Sequence, residues 1–302
     1  MFLLTLPLAL AQEAPPIVNG ERTSEFPQVG VLVAWDPDRG GSNYCSGTLI
    51  HPEWVLTAAH CVDAGKDYDN YGYPTWFFSG ALDDPDFYVE ADKLKMHPDY
   101  NSRDLAYDVG LVHLTRPVDE IEPMKANTLD MDNSWEDEVV TFVGYGSTGD
   151  DQRGSGVKRM AEIAIYNVTN LVFYAYDTKS NLCQGDSGGA GLLQIDGEWN
   201  VIGVNSFVYA VQGSGGCDGG GSGSSRVDAA MPWLENHVDF STAFPEEEIY
   251  VLDSPTMDTG DPRTPQAAGV KPKGGCSATG SAGLGAGLLA LFGALAVRRR
   301  RS

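Results

Sequence analysis

With 302 residues, and 42 acidic side chains against 20 basic ones for a formal net charge of −22, the chain can bury one large or two small cores. The same balance excludes nucleic acid as a partner, because phosphate contacts need clustered Lys and Arg. Five cysteines, Cys45, Cys61, Cys183, Cys217 and Cys276, form no C-x-x-C pair; in an exported chain they make two disulfides and leave one over.

The chain opens on an apolar run, 2–11, ending in Ala9-Leu10-Ala11 and followed by Gln12-Glu13. A small-x-small site after such a run predicts a secretory signal peptide over 1–11, although no Lys or Arg precedes it. Short apolar runs then alternate with Gly, Pro, Asp and Asn. Strands are predicted at 29–35, 46–51, 54–59, 88–94, 109–114, 139–144, 159–166, 190–195 and 201–208, rich in Val, Ile, Tyr, Phe and Trp. No long helical periodicity precedes Asp228, and 228–237 is the one short helix expected, docked by Trp233 and Leu234. The polar stretch 127–137 divides the strands into two groups of similar size. The pattern is all-β, a pair of small barrels. Beyond Phe240, Pro, Asp, Glu, Thr and Gly dominate, which reads as a linker over 241–275.

Three segments carry chemistry. Cys183-Gln184-Gly185-Asp186-Ser187-Gly188-Gly189 holds a serine between glycines. A hydroxyl is a weak nucleophile and needs a base and oxyanion donors, and the N–H groups of Gly185 and Ser187 can supply the donors. Thr57-Ala58-Ala59-His60-Cys61 closes a predicted strand with a histidine, and Asp108-Val109-Gly110-Leu111 opens another with an aspartate. Histidine can serve as the base near neutral pH, and a buried carboxylate can fix its tautomer. Taken singly, a Gly-rich turn, a strand-end histidine and a turn aspartate are ordinary structural residues. Together, in the order His, Asp, Ser, they point to nucleophilic catalysis.

At these residues, and at Ile17-Val18-Asn19-Gly20, Cys45-Ser46-Gly47-Thr48-Leu49-Ile50, Trp54–Cys61 and Ser206-Phe207-Val208, the chain resembles the chymotrypsin/trypsin-like serine endopeptidases. The resemblance covers 17–238. It implies two six-stranded antiparallel β-barrels with the active site between them, a protease domain over 17–240, protein or peptide substrates, a monomer, and neither cofactor nor metal. It implies Ser187 as nucleophile, His60 as base and then acid, Asp108 as its orienter, and Gly185 and Ser187 as the oxyanion hole. Ser206 matches a serine supporting the aspartate. Cys45–Cys61 and Cys183–Cys217 resemble the disulfides beside the histidine and beside the specificity pocket.

Ile17 matches an N-terminus made on activation, whose ammonium pairs with Asp186. The preceding Pro15-Pro16 departs from the Arg or Lys of many zymogens, and the propeptide, 12–16, is short. The pocket falls at Asn181, Leu182, Ser206, Phe207 and Val208. Asn181 offers no carboxylate to hold Arg or Lys, and Val208 narrows the wall, so the expected preference is elastase-like, for small aliphatic residues. Asp67-x-Asp69-x-Tyr71-Gly72 begins like a calcium loop, but Tyr71 breaks the series, and His51, His97, His113 and His237 have no zinc spacing.

The end of the chain, 276–302, combines Cys276-Ser277-Ala278-Thr279-Gly280, an uncharged apolar run over 281–297 and Arg298–Arg301. It resembles the MYXO-CTERM sorting tail of myxobacteria-like Gram-negative bacteria. That likeness implies processing or anchoring at Cys276 and an enzyme held at the outer cell surface. A retained membrane helix is the simpler alternative, with the arginines cytoplasmic. A second function, from another class, is a latent or non-catalytic binding protein on the same fold.

Overall fold

The computed structural model describes residues 17–244. The expected signal peptide, the propeptide, most of the linker and the Cys276 tail lie outside the described residues. No helix among the described residues is long and apolar enough to cross a membrane.

The first barrel is built from β2 (Val29–Asp36), β3 (Gly40–His51), β4 (Trp54–Thr57), β5 (Thr75–Ala81), β6 (Asp84–Met96) and β7 (Gly110–Leu114), after the two-residue β1 (Glu21–Arg22). These six strands close in the order β2-β3-β4-β7-β6-β5 through antiparallel pairs. Alternating side chains point inward, and Leu32, Leu49, Val55, Phe77, Val89 and Val112 form their core.

The second sheet contains β8 (Lys125–Ala126), β9 (Val139–Gly144), β10 (Arg159–Val168), β11 (Val172–Tyr176), β12 (Ala190–Ile195), β13 (Glu198–Tyr209) and β14 (Gly221–Arg226). The path β10-β11-β14-β13-β12-β9 closes on itself because β9 also pairs with β10. The result is a second six-stranded antiparallel barrel, with β1 and β8 added at its margins. The two-barrel expectation therefore holds. Helix α2 (Val227–Leu234) follows β14, with Leu234 fully buried in the core that also contains the first-barrel residues. Packing continues past Phe240: Ala243 is buried, and the Thr242 hydroxyl lies 3.1 Å from His51 Nε2.

Besides the two-residue β1 and β8, the strands β5, β11 and β14 were not among those predicted, and one predicted strand is corrected. The strand predicted over 54–59 ends at Thr57, and a helix, α1 (Ala59–Asn70), begins directly after it. Ala58 stays extended, and the chain then turns into the helix. Helical periodicity was hidden because the buried stripe consists of the small residues Ala59, Val62 and Gly65, while the second half is polar. His60 thus sits in a helix's first turn rather than at a strand end.

Candidate active site

Asp108 is fully buried. It lies between Tyr107, which is held at φ 51°, and β7. Its two oxygens have separate tasks. Oδ1 accepts the backbone N–H of His60 at 2.9 Å, and Oδ2 meets His60 Nδ1 at 2.7 Å. The first of these bonds satisfies one of the orphan N–H groups in the opening turn of α1, where a negative charge also complements the helix dipole. The carboxylate therefore fixes both the backbone and the ring of the same residue. Ser206 Oγ, on β13, donates to Oδ2 at 2.5 Å. With Nδ1 held by the carboxylate, Nε2 is the nitrogen left to exchange a proton.

Ser187 occupies the loop between Cys183 and β12. Its carbonyl accepts the Ser46 N–H at 2.8 Å, and the Ser46 hydroxyl donates to the Gly185 carbonyl at 2.8 Å, so β3 of the first barrel grips the loop of the second. Gly185 has φ +93° and Gly188 φ +81°, a region that costs other residues strain. A Cβ at Gly188 would run into Thr57 Oγ1 and the Ser46 carbonyl. Among the described residues, the N–H groups of Gly185 and Ser187 have no acceptor. Two unengaged donors on one turn can hold a developing oxyanion. Ser187 Oγ and His60 Nε2 make no hydrogen bond here; such contacts are commonly loose until substrate arrives.

Asp186 is fully buried, its oxygens accepting the N–H groups of Gly146 and Cys183, each at 2.8 Å. Burial pushes its carboxyl up to about 7, against the opposing pull of these N–H bonds and of the Arg159 charge. Ile17 is also fully buried, packed among Val140, Phe142 and Leu182, and the Val18 N–H reaches the Asn181 carbonyl at 2.9 Å.

Beside Ser187 opens a cavity of about 200 Å³, lined by Leu182, Gln184, Ser206, Phe207 and Val208 among others. Asn181 does not line it; its side-chain amide donates to the carbonyls of Gly216 and Cys217 at 2.9 and 3.2 Å. Val208 stands opposite Ser222 of β14 and packs on the Cys183–Cys217 disulfide and Val18. The second disulfide joins Cys45 of β3 to Cys61 of α1. Cys45, Cys61 and His60 converge closely, but both sulfurs are consumed in that disulfide, so they offer no thiolate pair to a metal.

Comparison with known proteins decides the family. The trypsin profile matches residues 17–234. The chain belongs to the trypsin family. It is 29% identical to human chymotrypsin-like elastase family member 1 over 66% of this chain and 83% of that protein. It is 27% identical to brachyurin of Leptuca pugilator over 65% of this chain and 88% of that protein. CLIP domain-containing serine protease B4 of Anopheles gambiae is 26% identical over 74% and 70% respectively. The family and these relatives identify a serine endopeptidase, a hydrolase.

Sequence reasoning missed two features of this trypsin-family cleft. One is the full length of α1, which carries His60 at one end and Tyr68 at the other. The other is Ser222, whose buried hydroxyl has no partner and whose strand, Gly-Ser-Gly-Ser-Ser-Arg, carries no apolar pattern. The buried stripe of Ala59, Val62 and Gly65 is too small-sided to signal the first, and nothing in the local sequence reveals the second.

Proposed function

We propose that this trypsin-family enzyme cuts peptide bonds after small aliphatic residues through an acyl-enzyme made on Ser187. The observation that carries the reading is the buried chain of hydrogen bonds from Ser206 through Asp108 to His60, beside a loop with two unengaged N–H groups. Ser187 Oγ attacks the scissile carbonyl as His60 Nε2 takes its proton. The imidazolium so formed is stabilised by Asp108, and the oxyanion is received by the N–H groups of Gly185 and Ser187. His60 then protonates the leaving amine. Water repeats the sequence on the acyl-enzyme and regenerates the hydroxyl.

Preference for Ala or Val at the residue before the cut rests on Val208, which crowds the cavity wall, and on the lack of a carboxylate among the pocket's lining side chains other than Asp186. Asp186 points away into its N–H bonds. The relatives named as elastases agree with that preference.

Activation is proposed to require scission before Ile17. The Asp186 carboxyl lacks a counter-ammonium while residue 17 remains in peptide linkage, and a freed α-ammonium there would hold it ionised. Export by the 1–11 segment and surface attachment through the Cys276 tail complete the reading; both rest on sequence likeness. Intact-mass measurement of the mature chain checks the tail, since survival of Arg298–Arg301 argues against sorting cleavage.

The central test uses the Ile17–Phe244 protein with a free Ile17 terminus and peptide p-nitroanilides ending in Ala, Val, Phe, Arg or Lys. Ala and Val substrates should lead, a serine-directed phosphonate should abolish turnover, and Ser187→Ala should lower kcat by about 10⁴ or more. Undiminished turnover in Ser187→Ala would refute the mechanism, and dominance of Arg or Lys would refute the pocket.

A further inference from the structure

A second cavity, about 260 Å³, lies between the far end of α1 and the β2–β3 hairpin. It is lined by Tyr68, Tyr73, Arg39, Ala34 and residues 40–42. It is built rather than incidental. Arg39 reaches from the hairpin to the carbonyls of Tyr71 and Gly72, the unsatisfied acceptors that follow the helix, and lies 4.1 Å from the Tyr73 ring centroid. Its charge is met by Asp36 at 3.2 Å. Tyr68 is backed by the Tyr44 ring at 5.3 Å, and Tyr44 is itself held by Thr75 at 2.9 Å. The slot thus shows flat aromatic and guanidinium faces, with its cation already paired.

Two independent paths fix its distance from the chemistry. Along β3, Ser46 grips the Ser187 carbonyl, and Ser42 lies four residues back, roughly 13 Å at the strand rise. Along α1, Tyr68 lies eight residues beyond His60, about 12 Å at the helical rise. The direction follows from the mechanism. The acyl side faces the cavity of Leu182, Phe207 and Val208, while the leaving amine must meet His60, whose helix leads to the slot. Residues 40–45 of β3 pair with β2 on one side only, because β4 joins β3 at Thr48, Leu49 and His51; Ser46 already donates to the Ser187 carbonyl, and the Asn43 amide donates to Ser155 Oγ at 2.7 Å. An extended substrate can add along this open edge, rising about 3.4 Å per residue.

We infer that the slot is a subsite for an aromatic side chain three or four residues beyond the scissile bond on the leaving-group side, so that the enzyme reads sequence on both sides of the cut. The inference rests on the protease reading above. Its occupant follows from continuity with the cleft and from walls that favour planar stacking over ion pairing.

Internally quenched peptides test it, with valine before the cut and the third and fourth leaving-side positions varied among Phe, Tyr, Trp, Leu, Ala, Lys and Glu. Aromatic residues at one of these positions should raise kcat/KM about tenfold over Ala. In Tyr68→Ala and Tyr73→Ala the ratio of aromatic to alanine peptide should fall toward one, whereas Tyr68→Phe should keep it; a ratio is read, so lower overall turnover does not obscure it. The wild-type scan decides the matter even if a variant does not fold. Equal rates across the scan, or a preference for Lys or Glu, overturn the subsite. Failure to cleave even the valine p-nitroanilide, which has no leaving peptide, overturns the protease reading instead.

Discussion

Asp108 and Ser206 show how much one carboxylate can organise. Because Oδ2 carries both the His60 ring and the Ser206 hydroxyl, removing the hydroxyl leaves Asp108 with one donor fewer in a buried setting. Ser206→Ala should lower kcat about tenfold with KM little changed, the mark of a positioning residue. Steady-state kinetics across pH checks it: a purely structural role would move Tm and leave the pH profile alone. At the pocket, Val208→Gly should raise kcat/KM for Phe relative to Val at the cut by about tenfold or more, read from paired p-nitroanilides. The candidate residues His60, Asp108 and Ser187 stand out in the sequence because their neighbours are distinctive, the glycines around Ser187 above all. The two-handed grip of Asp108 on His60 was not legible, since it depends on a helix that local sequence conceals. Nor was the turning of the Asn181 amide toward the Gly216 and Cys217 carbonyls, because a sequence position does not specify a rotamer.

Among elements, α1 is held to the first barrel by Cys45–Cys61, which closes a loop of separation 16. Replacing both cysteines by alanine should cost about 3 kcal/mol of stability and lower turnover, since His60 lies next to the lost bridge; urea unfolding and kinetics on the same sample measure the two effects. The strand content was legible where Val, Leu, Ile and aromatic residues form short apolar runs bounded by turn residues, as in β2, β9 and β12. It was not legible in β14, whose Gly-Ser sequence has no apolar face. That strand exists because β11 and β13 flank it and supply partners for its backbone. Its glycines are required there: a side chain at Gly223 would strike the Phe207 ring. The strands β5 and β11 were also not predicted, although their Trp-Phe-Phe and Val-Phe-Tyr runs carry a strand signal.

Across the whole domain, pH should act in two opposed ways. His51 and His97 are buried, and His237 is partly so; desolvation lowers the affinity of all three for a proton, with the Lys95 charge adding to it at His237. Nearby carboxylates, Glu53 and Asp239 at His51 and Asp99 at His97, oppose the effect. His51 accepts the Glu53 N–H and meets Thr242, while His97 stacks on Tyr107 and meets Trp233 of α2, so these histidines join the C-terminal segment to the first barrel. A depressed histidine binds its proton more readily unfolded, so stability is lost as pH falls through about 6.5. Asp186 has the reverse sign: its raised pKa favours the protonated folded form, and that contribution is lost as pH rises from about 4 toward 7. Thermal unfolding of the protein with and without Pro16 attached tests this. The free Ile17 form should gain several degrees over the blocked form at pH 8 and much less at pH 5, and equal gaps at both would remove Asp186 from the account.

The rod-like α1 separates two kinds of change. Its twelve residues span about 18 Å, with the His60 backbone clamped by a buried carboxylate at one end and the tyrosine wall tied by Arg39 at the other. Substitutions or added turns at the distal end can reshape what the cleft accepts without shifting the imidazole, so recognition and reactivity can diverge independently within one continuous element.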